Sequence, residues 1–374
     1  MVVTILVFLL ILSVLVLVHE AGHYFVAKKL GVKVEEFGFG FPPRIWGKKV
    51  GETIYSINLL PIGGFVKLFG EDDAGGGKLG SVKDEALAAK GKDLKRAFFA
   101  RPVWQRAAIV VAGVVMNFLL AFVILSYLFA VQGVSTPGND VQIIAIAPRS
   151  PAASAGLKTG EVILSVDGHK LTTPNQLISY THAHLGKEVT LVVTTLPKGS
   201  PKTIHITPRV HYPSDEGAMG VAISPIVQVK KYPWYQAPFV GLKESFSETW
   251  LILQGLWTTL ATIAVQRQVP QGLAGPVGIA QLTGQFIKIG PEAVLSLVSL
   301  LSLNLAVLNI LPIPALDGGR LFFILIEAVT RRKVNPQIEG YAHAAGMVLL
   351  LALIALITFH DLVRIFTGQP ILPK

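Results

Sequence analysis

Residues Val2 to Val18 are almost pure hydrocarbon, and the run ends on His19-Glu20-Ala21-Gly22-His23. Few folds accommodate that combination. Backbone polar groups inside a bilayer must be satisfied within their own segment, so an apolar run of about 20 residues is expected to be a membrane-spanning helix. A helix turns about 100° per residue, which puts His19 and His23 on one face. Two imidazoles four apart can hold one Zn²⁺, with Glu20 beside them to take a proton from water. Ionisable side chains at membrane depth are costly and mark functional positions. The motif therefore predicts a zinc hydrolase centre at the edge of a bilayer.

Composition agrees. Hydrophobic residues make up 51% of the chain and charged residues 15%, with a mean hydropathy of +0.56, as in an integral membrane protein. There is no cysteine, so nitrogen and oxygen must supply any metal ligands. Met1 to Val18 lacks a basic leader and a small-x-small cleavage site and is expected to be retained. Fifteen of the 33 Lys and Arg residues lie between Lys28 and Arg106, and Arg331-Arg332-Lys333 fill another loop. That asymmetry places both loops on the cytoplasmic side. No basic stripe is interleaved with aromatics on a soluble module, which excludes a nucleic-acid partner.

The chain reads as a polytopic α-helical membrane protein with about four transmembrane helices, at 1–30, 105–131, 292–330 and 341–361. The third is too long for one simple span and is broken by Pro312 and Pro314. Residues 31–104 read as a cytoplasmic-side β-rich loop and linker. Strands are expected at Val34–Phe41 and Thr53–Leu60; Pro42-Pro43 ends the first, and Pro61-Ile62-Gly63-Gly64 makes a turn before Phe65-Val66-Lys67. A linker at Glu71–Gly80 and a surface helix at Ser81–Phe99 follow. Residues 236–291 are expected to be amphipathic and to lie along the outer membrane surface.

Residues 139–225 form an inserted extracytoplasmic α+β module. Strands are expected at Val141–Ile146, Gly160–Gly168, Glu188–Thr195 and Thr203–Val210, with a short helix at 151–157 and another at Pro174–His184. The order, and the stretch SPAASAGL…GEVILSVDG, resemble a PDZ domain of the bacterial type. Such domains bind peptide ends by adding a strand.

Two histidines leave zinc one protein ligand short of a catalytic set. Asp317, in Asn309-Ile310-Leu311-Pro312-Ile313-Pro314-Ala315-Leu316-Asp317-Gly318-Gly319, is the only carboxylate between Glu292 and Glu327. Its prolines free backbone carbonyls and its glycines permit close backbone approach. Irregular backbone at membrane depth is tolerated only where protein buries it or it lines a wet cavity. Asp317 is the expected third ligand.

HEAGH at 19–23, GGFVK at 63–67, NFLLA at 117–121, the PDZ-like module, GPVGIA at 275–280 and NILPIPALDGG at 309–319 occur in that order. Together they resemble the site-2 protease family of intramembrane zinc metalloproteases, in particular the bacterial regulator-of-sigma-E protease branch with a single PDZ domain. The resemblance implies zinc on His19, His23 and Asp317, Glu20 as catalytic base, and Asn309 as a substrate-holding or oxyanion-stabilising residue. It also implies cleavage of single-pass membrane substrates, such as anti-sigma factors or remnant signal peptides, after trimming by another protease. Residues Gly63, Gly64, Phe65, Val66 and Lys67 are expected to clamp the unwound substrate as an added strand. The implied location is the bacterial inner membrane. Many members carry Gly-Pro where this chain has Gly113-Val114.

Two other functions compete. A catalytically inactive PDZ adaptor with a structural zinc would not need Glu20. A zinc transporter would show polar residues along several spans and inverted repeats, which are not visible. His182, His184, His205 and His211 are expected on the surface, and His343 and His360 at the membrane interface.

Overall fold

The computed structural model describes residues 2–71, 94–195, 199–213, 216–266 and 274–367. Its contacts divide the chain into two units, one of Met1–Val131 with Pro233–Lys374 and the other of Gln132–Tyr232. The first unit begins with α1 (Val2–Lys29), β1 (Val34–Val50), β2 (Thr53–Leu68) and α2 (Val103–Val131). The second unit holds β3 (Val134–Ile146), α3 (Pro151–Ser154), β4 (Glu161–Val166), β5 (His169–Lys170), α4 (Pro174–Ala183), β6 (Val189–Thr195), β7 (Lys202–Ile206) and β8 (Val221–Lys230). The chain then returns to the first unit through α5 (Ala237–Gln266), α6 (Pro276–Ile289), α7 (Pro291–Ile310), α8 (Asp317–Thr330) and α9 (Pro336–Phe366).

Four of the described helices, α1, α2, α7 and α9, are long and apolar enough to cross a membrane. The third apolar stretch is broken at its prolines as expected: residues 292–330 are two helices, with the break at 311–316. Pro312 and Pro314 have no N–H to donate, so the i to i−4 ladder cannot continue through them. Lipid supplies no hydrophobic drive between helices, so association relies on close packing of small residues. Gly22 of α1 meets the Ala112 carbonyl of α2, where even a Cβ would overlap it.

Within the 236–291 region the first part of α5 packs against α2. Gly241 lies against Ser126, and the Phe246 ring is 5.0 Å from that of Phe118. Partners fall along α2 as they rise along α5, so the two helices pack antiparallel. Glycine at 241 admits the Ser126 backbone, and Ser245 is fully buried.

In the β-region each long strand is folded at its prolines, so that 36–39 and 46–49 flank 54–57 on opposite sides. β1 runs through Pro42-Pro43, and β2 through Pro61 to Gly64. The prolines sit where the register jumps, from Phe41↔Leu60 to Arg44↔Asn58, so no ladder bond is asked of them. Residues 61–63 bulge between Leu60 and Gly64, with Gly63 at φ 90°. As a result Phe37, Gly38 and Phe39 have neighbours on both sides, Val66 to Gly64 on one and Tyr55 to Ile57 on the other. The 64–68 stretch forms the outer rung there. Beyond the bulge Phe41, Ile45, Trp46, Leu59 and Leu60 are exposed, an apolar tip suited to lipid.

The expected linker at 71–80 and most of the expected helix at 81–99 lie outside the described residues; Phe98–Ala100 is a single 3₁₀ turn. In the second unit the sheet order is β7-β6-β4-β3-β8, with β5 paired to β4. Val141, Ile143, Ile163, Leu177, Leu191 and Val193 fill its core. Asp167-Gly168 makes the two-residue β4–β5 turn, both at positive φ. The Thr190 N–H and the Tyr180 hydroxyl donate to the Asp167 carboxylate and hold it below the usual carboxylate range.

Candidate active site

The site is assembled from four helices and one strand. α1 presents His19 and His23 one turn apart, with ring centroids 4.8 Å apart. Asp317 is the first residue of α8, directly after the proline-broken loop. Its Oδ2 lies 2.9 Å from His19 Nε2 and 3.3 Å from His23 Nε2, and the two Nε2 atoms are 3.2 Å apart. Of the described residues, this trio is the one group whose ligand atoms converge as a metal site requires, all within 4.8 Å of one another.

Glycines let the backbone come that close. A Cβ on Gly318 would overlap the carbonyls of Leu311 and Ile310, and one on Gly319 would press on Ile313 O. A Cβ on Gly113 would overlap His23 Nε2 and lie 2.7 Å from His19 Cε1. This glycine keeps α2 clear of both imidazoles, whatever residue follows it. Arg106 of α2 donates to Glu327 of α8 at 2.7 Å, and both are largely buried. Removing one partner of such a pair costs about 3–5 kcal/mol, so the pair anchors the helix that carries Asp317.

The proton positions fit a cation. His23 Nδ1 donates to the Ile109 carbonyl at 2.8 Å, which leaves a lone pair on Nε2 facing Asp317 and His19. Asp317 Oδ2 is buried and receives no hydrogen bond. Asn117 is fully buried, with its Nδ2 3.4 Å from His19 Nδ1 and its Oδ1 unpartnered. Amide orientation is an assignment made from the surrounding hydrogen bonds. Turned over, Asn117 accepts from His19 Nδ1–H and frees Nε2 in its turn. Three acceptor atoms within 3.3 Å of one another, each buried at a cost of about 1–3 kcal/mol when unsatisfied, suit a bound metal ion.

Glu20, His23 and Asp317 line one cavity of about 200 Å³ with Phe65, Val66, Glu71, Ile109 and Arg320. Gly64 packs beside Glu20, with Glu20 Cγ 3.8 Å from where a Cβ would stand. The outer rung of the hairpin thus borders the cavity. Lys67 pairs with Glu35 of the same hairpin at 3.2 Å. Asn309, near the end of α7, brings its Nδ2 to 3.4 Å from His19 Nε2. Arg320 forms an ion pair with Glu71 at the cavity wall.

Residues 7–353 match the sequence family described as Peptidase family M50. The chain belongs to peptidase family M50. Its relatives include a putative zinc metalloprotease, mll0638, of Mesorhizobium japonicum, 35% identical over 95% of this chain and 97% of that one. The regulator of sigma-W protease RasP of Bacillus subtilis is 30% identical over 97% and 99%. A putative zinc metalloprotease of Clostridium perfringens, CPE1693, is 33% identical over 95% and 97%. This M50 peptidase is a zinc-dependent metalloprotease and a membrane protein. A solved PDZ domain of an SdrC-like protein of Listeria monocytogenes overlaps 24% of the chain and 93% of its own length, at 19% identity and a TM-score of 0.21.

Sequence reasoning gave Gly113, Asn117, Arg320 and His343 no role at the site. GxxxN at 113–117 carried the signal for the first two, as a small-residue contact with a polar partner one turn on. His343, expected at the membrane interface, is 2% exposed within the protein, where α9 packs against the 311–316 loop.

Proposed function

We propose that this peptidase cleaves single-pass membrane proteins within the bilayer, with His19, His23 and Asp317 holding zinc and Glu20 as general base. The observation that carries the reading is the convergence of those three ligands, beside Glu20, among helices long and apolar enough to span a membrane. Zinc, when bound there, polarises a peptide carbonyl and acidifies water. Glu20 takes the proton from the attacking water and returns it to the leaving amide nitrogen. The Ile109 carbonyl and Asn117 orient the imidazoles. Asn309 holds the substrate carbonyl or steadies the charge that develops on its oxygen.

A helical substrate hides its carbonyls in i to i−4 bonds and must be unwound locally. The rung formed by Gly63, Gly64, Phe65, Val66 and Lys67 offers an edge on which the unwound stretch adds as a strand. The resemblance and the RasP relative support anti-sigma-factor-like substrates or remnant signal peptides, trimmed beforehand by another protease. The basic loops support a multi-pass protein of the bacterial inner membrane, with those loops cytoplasmic and the PDZ-like unit outside.

The test is turnover of single-span peptides by purified protein in detergent, with and without a chelator. Spans carrying Gly or Pro should be cut faster than poly-Leu. Glu20→Gln should retain zinc and abolish cleavage, whereas Asp317→Asn should lose zinc affinity. Cleavage by Glu20→Gln, or cleavage indifferent to chelation, would overturn the assignment.

A further inference from the structure

The loop that delivers Asp317 makes few hydrogen bonds of its own. Pro312 and Pro314 have no N–H, Ile313 N–H reaches only Leu311 O, and Leu316 N–H reaches Ile313 O. Ala315 takes φ 79°, a left-handed conformation that a residue with a Cβ adopts only when its surroundings impose it. The imposing contact comes from the last apolar helix. His343 of α9, buried with 2% of its surface exposed, accepts the Ala315 N–H on Nδ1 at 2.8 Å. One turn on, Gly346 lies against Pro314, where a Cβ would overlap the Pro314 carbonyl. The His343 ring also sits 5.7 Å from Phe323 of α8.

We propose that His343 is a positioning residue for the metal site, fixing the strained Ala315 backbone so that Asp317, two residues on, meets His19 and His23. An imidazole that accepts at Nδ1 is neutral and carries its proton on Nε2. Nε2 has no hydrogen-bond partner, and Glu339 Oε1 stands 4.0 Å away. The acceptor at Nδ1 is therefore the polar contact that the buried ring provides. Gly346 sets the distance between α9 and the loop, and His343 sets the loop's conformation. The inference rests on Asp317 being a zinc ligand.

Asn places an acceptor where Nδ1 stands, and Gln moves it to the Nε2 position. In full-length protein in detergent, zinc retention is measured against a chromophoric chelator, with kcat and KM on a model span. His343→Leu and His343→Gln should weaken zinc binding on the order of 10–100-fold and lower kcat more than KM changes. His343→Asn should restore most of both. Ala315→Gly in the His343→Leu background should recover part of the zinc affinity, since glycine takes positive φ freely. Equal zinc affinity in the Asn and Gln variants would overturn the inference, as would wild-type affinity in His343→Gln while Asp317→Asn is impaired. Wild-type affinity in Asp317→Asn would instead overturn the ligand assignment beneath it.

Discussion

Gly113 occupies the point on α2 that two imidazoles need, and a single methyl there meets His23 Nε2. Gly113→Ala should therefore lower zinc affinity by on the order of tenfold or more, while the helical content by circular dichroism stays near wild type. A chelator titration checks it, and unchanged affinity would mean that α2 can step aside at little cost. His19, Glu20, His23 and Asp317 were legible because each belongs to a pattern whose chemistry is local: helical spacing for the first three, a lone carboxylate in broken backbone for the last. Gly113, Asn117 and His343 act on residues roughly 30 to 100 positions away, from helices whose facing sides no periodicity specifies. His343 stands near the end of an apolar run, which says nothing of the loop and the Phe323 ring that cover it.

At the scale of elements, the hairpin is held at its base by charge. Arg96 donates to both oxygens of Glu52 at 2.7 and 2.8 Å, and Lys28 adds a contact at 3.3 Å. The Arg96 guanidinium, with help from Lys28, holds the Glu52 carboxyl below its ordinary range. A carboxylate lowered in the folded state stabilises above its unfolded pKa, and that contribution disappears as pH falls through the lowered folded value. Melting temperature in detergent should consequently show no Glu52-dependent change from pH 7 to about pH 5, then drop more steeply in wild type than in Glu52→Gln as pH falls further. Parallel slopes would show that Glu52 contributes nothing to this dependence. The pair is partly exposed, so the difference will be modest. Apolar runs announced α1, α2, α7 and α9, and the prolines announced where β1 and β2 fold back. Pro42-Pro43 and Pro61 stand where the paired stretches reverse, so the missing N–H costs no ladder bond there.

At the scale of the whole molecule, the second unit is an insertion whose ends meet. Val134 pairs with Lys230, and β8 is an edge strand. Residues Gln132–Tyr232 can therefore be excised and replaced by a short Gly-Ser linker with little strain on the rest. If this unit excludes bulky substrates, the deletion variant should cut untrimmed single-span proteins that the full chain rejects. If it captures new C-termini on the β8 edge, the variant should slow on trimmed ones instead. Exclusion is the expected outcome, because a short exposed stump has little length with which to reach a groove. Unchanged selectivity at normal zinc content would reject both.

The sequence by itself determined that four long apolar segments exist, that two of the zinc-ligand candidates share a helix face, and that a strand-rich module is inserted between apolar helices. Those are properties of composition and short-range periodicity, set by backbone geometry and the insolubility of unpaired polar groups in lipid. Only the tertiary structure decided that α5 packs along α2 and that the hairpin's outer rung borders the cavity with Glu20. It alone decided that α9 holds the loop before Asp317. Each of these depends on how closely two backbones approach, which glycine and proline permit without saying where the partner will come from.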